Sequence, residues 1–472
     1  MHRELPASLH RPLAERLGER WLTDPADCLT YAYDNSRRQA KPQAVALAES
    51  HDEVRAIAAA CHEQRVALTV RGRGTNTTGA TVPLAGGVVL SLERMNRVLE
   101  VAPADRYLVC EGGTLNGDVQ AAAGEHGLFW PPDPTSAGYS SVGGNIGCNA
   151  GGPRAVKYGT VRDNILGLRA VLADGREIRT GCRTSKGVVG YDLTRLLVGS
   201  EGTLAIVTEA TLKLLPRPPQ QVTLRACYTG VAEAAAAVAR IMNQPQLPSA
   251  LEFMDGDAVM LAQRHRDTGV PDGTGALLLL AADGDARTLP IAIDAIRDAA
   301  AGDGLVEWRA AEDDAAAAEL WACRKALSPA LRSIAPKKIN EDVAVPVSRV
   351  PELIDGLREL ARRHEVRIVN FGHAGNGNIH VNLLGDPDDA REAAAMQACL
   401  GGVFRLVLSL GGTISGEHGV GIDKRDFVSW EVDADTLALM RAIKHTLDPH
   451  GILNPGKSLP DPDTEPARET DT

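Results

Sequence analysis

The chain reads as an α+β protein in two or three domains, and three observations carry that reading. At 472 residues it exceeds what one hydrophobic core usually holds. Its first half sets short apolar runs between glycine-rich polar loops. From Gln221 onward, runs of strand length alternate regularly with runs of helical period, the pattern of a sheet with helices packed on it.

Composition narrows the class of function. The hydrophobic and charged fractions, 44% and 24%, are those of an ordinary globular protein. A net charge of −11 argues against nucleic acid or an anionic membrane surface as a partner. The eight cysteines (28, 61, 110, 148, 182, 227, 323 and 399) form no Cys-x-x-Cys pair. That spacing excludes the usual iron–sulfur and zinc-ribbon modules and suggests reduced thiols. Residues 1–21 contain acidic groups and no continuous apolar stretch, so a secretory signal is not expected. No charge-free apolar run reaches transmembrane length, and the expectation is a soluble, cytoplasmic protein.

Residues 1–45 read as a short helix followed by irregular chain. A strand at 44–48, a helix at 51–64 and a strand at 67–70 then form a βαβ-like unit. The second strand ends in Arg71-Gly72-Arg73-Gly74-Thr75-Asn76-Thr77-Thr78-Gly79, a polar loop whose backbone N–H groups suit a diphosphate. It departs from the nicotinamide-dinucleotide fingerprint: Thr77 breaks the glycine spacing, and Pro83 and Gly86-Gly87 interrupt the chain before any helix. Strands at 88–92, 98–101 and 107–111 and a helix at 115–126 follow. The densest glycine region comes next, from Pro131-Pro132-Asp133-Pro134 through Ser141-Val142-Gly143-Gly144-Asn145 to Asn149-Ala150-Gly151-Gly152. So much glycine disfavours helix and strand alike, and the buried-type residues among it suggest a loop held against a large planar ligand. A hairpin turns at Ala173-Asp174-Gly175. Gly199-Ser200-Glu201-Gly202-Thr203 precedes a strand at 205–214, and Pro216, Pro218 and Pro219 close this part.

In the second part, strands at 221–227, 249–254 and 275–281 alternate with helices at 231–242, 258–265 and 288–300. One helix at 313–332, a strand at 338–346 and a helix at 350–364 lead to Gly372-His373-Ala374-Gly375-Asn376-Gly377-Asn378-Ile379-His380. Asn-Gly between two apolar runs predicts a two-residue hairpin turn. His373 then faces His380, with Cβ atoms about 4.5–5.5 Å apart. Further on, between helices at 390–408 and 434–447, Ser415-Gly416-Glu417-His418-Gly419 supplies a carboxylate and a third imidazole. Two histidines and a glutamate make a three-ligand set that leaves coordination positions open, the pattern of a catalytic metal site. The tail from Ser458, rich in Pro, Asp, Glu and Thr, is expected to be disordered.

Taken together, these segments resemble the FAD-linked oxidases of the vanillyl-alcohol-oxidase type, and within them the D-lactate, D-2-hydroxyglutarate and glycolate dehydrogenase family. The likeness runs over residues 40–457 and also includes Leu453-Asn454-Pro455-Gly456-Lys457. It implies a two-part FAD-binding domain at 1–220 with an antiparallel α+β cap at 221–412. Residues 413–457 would return to the FAD domain, and 458–472 would be the tail. By the same likeness Arg71, Gly72, Arg73, Gly74, Thr75 and Asn76 hold the FAD diphosphate. Pro132, Asp133, Ser141, Gly143, Gly144, Asn145, Asn149, Gly151 and Gly152 would lie along the flavin. Glu201, Gly202 and Ile206 would sit near the adenine half, and Asn454 would return to the cofactor. Relatives with covalent flavin carry a histidine where this chain has Thr75, so the FAD is expected to be non-covalent.

The resemblance makes His373, His380 and Glu417 ligands of a divalent metal, zinc or manganese, and His418 the catalytic base. Arg324, Asn382 and Lys338 match substrate-binding positions. The expected reaction is oxidation of a D-2-hydroxy acid to the 2-oxo acid, with hydride passing to flavin N5. The metal would lower the hydroxyl pKa, His418 would take the proton, and Arg324 would grip the carboxylate. The spacing from Arg324 to Glu341-Asp342 departs from the hydroxyglutarate branch, which favours D-lactate, with D-2-hydroxyglutarate or glycolate as alternatives. Without cysteine clusters, electrons are expected to leave for an external quinone, cytochrome or electron-transfer flavoprotein, and reaction with oxygen should be slow. A homodimer is left open. A flavin-free metal hydrolase is argued against by the glycine loops, and a non-catalytic flavin-binding subunit by the presence of His418 and all three ligands.

Overall fold

The computed structural model describes residues 4–334, 337–386 and 388–461. It divides into two compact units, one within Met1–Gly152, Gly159–Arg217 and Glu417–Thr472, the other within Pro153–Tyr158 and Pro218–Gly416. Residues 462–472, most of the tail read as disordered, lie outside the described residues. Among the described residues no helix is long and apolar enough to cross a membrane, and all eight cysteines are free thiols.

In the first unit, β1 (Trp21–Leu22), β2 (Ala44–Leu47), β3 (Leu68–Arg71) and β4 (Val88–Ser91) form a sheet in the order β1-β2-β4-β3. β2, β4 and β3 run parallel, and β2 and β4 are buried at every position, as continuous apolar strands in parallel sheets are. Ser50 caps the helix His51–Gln64, whose Val54, Ile57, Ala58 and Cys61 fill the core beside Leu68 and Leu90. Next in the chain come β5 (Val98–Ala102), β6 (Tyr107–Glu111), β7 (Leu128–Phe129), β8 (Ile165–Val171), β9 (Glu177–Gly181), β10 (Ile206–Lys213) and β11 (Leu215–Pro216). Five of these make an antiparallel sheet, β5-β6-β10-β8-β9, and β7 pairs with β11. The terminal segment is stitched to the first sheet: Leu68 N–H donates to Ile452 O at 2.8 Å and Asn454 N–H to Leu68 O at 2.9 Å.

Two local expectations fail here for identifiable reasons. Residues Val142–Cys148 form a helix despite their glycines, because Ser141 caps its start and Asn149 closes its end in the left-handed conformation. Ser458, placed by composition at the start of a disordered tail, donates through its backbone to Gly421 O and through its hydroxyl to Glu201. Composition could not register those partners.

The second unit is one seven-stranded sheet. Its strands are β12 (Gln220–Tyr228), β13 (Ala250–Asp255), β14 (Ala276–Gly284), β15 (Leu305–Ala310), β16 (Lys337–Ala344), β17 (Arg367–His373) and β18 (Asn378–Gly385). The order is β15-β12-β14-β13-β17-β18-β16, with every neighbour antiparallel. Cys227, Met254, Leu277, Leu279, Phe371 and Leu384 share a core cluster with helices Gly256–His265 and Ala322–Ile334. Edge strand β15 has no sequence-read counterpart, since its half-exposed residues carry little apolar signal. The single helix read at 313–332 is two, Asp314–Leu320 and Ala322–Ile334; the indole of Trp321 at their junction donates to Thr223 Oγ1.

The β17–β18 hairpin differs from the two-residue turn that Asn376-Gly377 suggests. Ala374–Asn376 form one 3₁₀ turn closed by Gly377 N–H to Ala374 O at 2.9 Å, and only Gly377 enters the left-handed region. A type I′ turn needs both central residues there. The loop therefore takes four residues, and pairing starts at His373↔Asn378, with Phe371 opposite His380. The register has moved by two positions, so His373 and His380 keep the same face, now as diagonal neighbours.

Gly377 has φ of 68°, and an added Cβ would come within 1.9 Å of Val345 O. Gly377→Ala combines left-handed strain of about 1–2 kcal/mol with that clash. The urea midpoint should fall clearly, whereas an unchanged midpoint would contradict this turn.

Candidate active site

In the first unit the glycine loops pack directly on each other. A Cβ on Gly72 would lie 2.1 Å from Ser141 Oγ, so only glycine permits this approach. Gly143 N–H donates to Gly112 O at 2.7 Å, and Gly152 N–H donates to Glu417 Oε2 at 2.7 Å. Asn76 Oδ1 accepts from Thr78 N–H and Ala80 N–H, while its Nδ2 donates to His418 O at 3.1 Å. His418 itself is half-buried.

Several side chains expected at the cofactor make hydrogen bonds within the protein. Arg71 Nη1 donates to Tyr33 O at 2.6 Å, turning the guanidinium back under its own loop. Glu201 accepts from Val420 N–H at 3.0 Å and Gly421 N–H at 2.9 Å, and burial pushes its carboxyl pKa up. Asn454 Nδ2 donates to Ala80 O at 2.9 Å and Glu201 O at 2.6 Å. Asn149 Oδ1 accepts from Arg162 N–H at 2.9 Å, Pro132 O accepts from Asn116 Nδ2 at 3.0 Å, and Ile206 is a core residue. These contacts shape the loops.

What stays open is backbone. Among the described residues, the amides of residues 72–77, which include Gly72, Arg73, Gly74, Thr75 and Asn76, have no acceptor within the protein. A row of backbone N–H groups with no acceptor of their own fits a diphosphate. Buried Asn145 Nδ2 likewise lacks a partner among the described residues. Both observations fit a bound dinucleotide. Gly144 lies in the helix Val142–Cys148 beside Asn145, Asp133, Gly151 and Gly202 lie in other irregular segments of this unit, and Gly202 sits against Val70 of β3.

In the second unit, alternation along the strands gathers a polar set on one sheet face. His373, His380 and Asn382 are buried there, with the His373 and His380 rings 5.1 Å apart and edge-on. Asp342 pairs with His380 and Asn340 with Asn382 across β16. Asn382 Nδ2 donates to Val369 O and His380 O, and Lys338 Nζ stands 3.5 Å from Asn382 Oδ1. The irregular segment at the end of this unit is tied to β16, since Gly416 N–H donates to Asp342 O at 2.8 Å. Glu417 and His418 follow it in sequence.

Glu252 of β13 is the residue that sequence reasoning missed. It is fully buried; Oε1 contacts His373 Nδ1, and Oε2 accepts from Arg324 Nε at 3.2 Å. Burial alone would raise its carboxyl pKa, but His373 and Arg324 beside it outweigh that and hold it below its ordinary value. The signal was a lone carboxylate in the apolar run Ala250-Leu251-Glu252-Phe253-Met254. The Arg324 guanidinium also lies over the Phe371 ring, with Cζ 4.6 Å from its centroid. Among the described residues its Nη1 and Nη2 have no protein partner, so an anion can take that end. His373 Nδ1 faces a carboxylate, so Nε2 is the nitrogen of that ring suited to a metal, and a second imidazole stands beside it. That donor pair fits a divalent ion.

Residues 42–181 match the family model of an FAD binding domain, and residues 217–458 match that of the FAD linked oxidases, C-terminal domain. The chain belongs to the FAD-linked oxidases. A glycolate oxidase subunit GlcD from Bacillus subtilis is 38% identical over 430 residues, covering 91% of this chain and 92% of that protein. A D-2-hydroxyglutarate dehydrogenase from Xanthomonas citri is 35% identical, covering 92% and 93%. A D-lactate dehydrogenase from Anaerostipes hadrus is 33% identical, covering 89% and 90%. Among solved structures, p-cresol methylhydroxylase superposes with a TM-score of 0.80 at 17% identity, covering 96% of this chain and 97% of that one. The 4-ethylphenol oxidase of Gulosibacter chungangensis gives 0.76 at 20% identity, covering 97% and 98%. This FAD-linked oxidase thus has the vanillyl-alcohol-oxidase fold, an α+β FAD-binding domain with an antiparallel cap, and it is an FAD-dependent oxidoreductase.

Lys457 closes the first unit. Its buried Nζ donates to Asn454 Oδ1 at 2.6 Å. Burial pulls its pKa down to about 7, against Asp34 and Glu201, which raise it. A free lysine titrates near ~10.4. Between these values the unfolded chain binds a proton that the folded chain does not. Stability should therefore rise with pH across that window, by at most about 1.4 kcal/mol per unit for this group, and the gain should be absent below it. Lys457→Met should flatten that part of the slope in denaturant midpoints measured from neutral to alkaline pH. Parallel profiles for the two proteins would contradict the assignment.

Proposed function

We propose that this FAD-linked oxidase converts a D-2-hydroxy acid to the corresponding 2-oxo acid. Arg324 carries the reading: its Nε is anchored by Glu252, while Nη1 and Nη2 face no protein acceptor among the described residues, beside two buried imidazoles. A fork with its outer nitrogens open suits a substrate carboxylate. The names of the relatives point the same way, since glycolate, D-lactate and D-2-hydroxyglutarate are all 2-hydroxy acids.

In this reading the amides of residues 72–77 would hold the FAD diphosphate, and FAD would supply the acceptor for the hydride from C2. Arg324 holds the carboxylate and thereby fixes which C2–H can leave. Asn382 on β18 orients the same substrate. His418 takes the hydroxyl proton onto its imidazole as the carbonyl forms. His373, His380 and Glu417 would hold a divalent metal, zinc or manganese, which would supply Lewis acidity toward that hydroxyl. Thr75 leaves the FAD without a covalent link. Electrons then pass to an external carrier, and the subunit named among the relatives suggests that the acceptor can be another chain.

The preferred substrate in this reading is D-lactate, because one clamp and one metal contact satisfy a monocarboxylate. One observation favours a second reading: half-buried Lys338 stands beside Asn382, where it could meet the distal carboxylate of D-2-hydroxyglutarate. Leaving that carboxylate buried and unpaired would cost several kcal/mol. Chelation should abolish turnover with flavin content unchanged, and full activity in metal-depleted enzyme would remove the metal from the mechanism. Lys338→Ala should lower kcat/KM little on D-lactate. A wild-type preference for D-2-hydroxyglutarate that this variant selectively destroys would establish the dicarboxylate instead.

A further inference from the structure

Glu252 stands on the polar sheet face with apolar neighbours: Leu279 is its partner on β14, and Met254 follows on the same face. A carboxylate taken from water into such a setting is costly unless each oxygen is matched. Both oxygens are matched here, and by two different functional elements. Oε1 meets His373 Nδ1 on β17, and Oε2 meets Arg324 Nε on the helix Ala322–Ile334.

We infer that Glu252 is a positioning residue that sets the His373 tautomer and the direction of the Arg324 fork together. The inference rests on reading His373 as a metal ligand and Arg324 as the carboxylate clamp. An ionised carboxylate only accepts, so His373 Nδ1 carries the proton and Nε2 presents its lone pair on the far side of the ring. Occupation of Arg324 Nε removes the side-on pair of donors, leaving the end-on pair Nη1 and Nη2 for a ligand. Phe371 lies against the guanidinium face, with Cζ 4.6 Å from the ring centroid, and opposes tilting of that plane toward it. One buried charge therefore aligns a metal ligand and a substrate clamp that lie 49 residues apart in the chain (Arg324 to His373).

Glutamine at position 252 separates this role from mere packing. It keeps the shape but offers one acceptor oxygen, and its NH₂ would face one of the two donors. Two readouts on the FAD-loaded protein test the inference: zinc affinity by competition with a chromophoric chelator, and pyruvate binding to metal-free enzyme by perturbation of the flavin spectrum. Glu252→Gln should weaken zinc about 10–100-fold and pyruvate about tenfold, with flavin content unchanged. Arg324→Met should weaken pyruvate and leave zinc as in the wild type. Adding Glu252→Gln to Arg324→Met should then cost zinc affinity but little further pyruvate affinity. Should the glutamine variant lose FAD, Glu252→Asp, which keeps the charge one methylene short, gives the same two readouts. Wild-type affinities in the variant, or full additivity on pyruvate, would overturn the inference. A wild-type protein that binds no zinc would overturn the metal reading and the His373 half of the inference, while the pyruvate measurements would still judge the Arg324 half.

Discussion

In the β17–β18 hairpin, side chains alternate between two faces, and everything proposed for the second unit follows from which face the histidines share. His373, His380 and Asn382 fall on one side because the pairing offset is even. An offset changed by one residue would send one histidine to each side of the sheet. The hairpin occupies an interior place in the seven-strand order, flanked by β13 and β16, so its polar side chains are enclosed by protein. Enclosure obliges each polar group to find a partner, and Glu252, Asn382 and Lys338 are arranged accordingly.

The first unit solves the opposite problem. There the conspicuous polar side chains, Arg71, Asn76, Glu201 and Asn454, bond to the protein itself and stiffen its loops. The amides of residues 72–77, by contrast, have no acceptor within the protein among the described residues. A row of amide dipoles recognises a diphosphate whatever side chains the loop carries. Residue identity in the loop therefore matters mainly for the path of the backbone, as Gly72 against Ser141 illustrates.

Much of this architecture is legible in the sequence because its elements are periodic. The helix at 434–447 and the strands around 107–111 and 250–255 stand where apolar spacing puts them, to within a residue or two. What resisted reading depends on partners distant in the chain. Helix Val142–Cys148 forms through its caps against the local cost of its glycines. The hairpin loop adds two residues because Asn376 stays right-handed, which the Asn-Gly pair alone does not reveal. The bond from Arg71 Nη1 to Tyr33 O joins residues 38 apart, which no local spacing announces. Glu252 is invisible as a functional candidate because no motif surrounds it; only the sheet brings it to His373.

The most direct test of the central claim is an anaerobic titration of the FAD-loaded protein with paired D- and L-2-hydroxy acids, following flavin absorbance. The account predicts stoichiometric bleaching by D-lactate, none by L-lactate, and recovery of the absorbance when an external acceptor is added. A flavin that no 2-hydroxy acid reduces, or one that the L-acid reduces as readily as the D-acid, would contradict it.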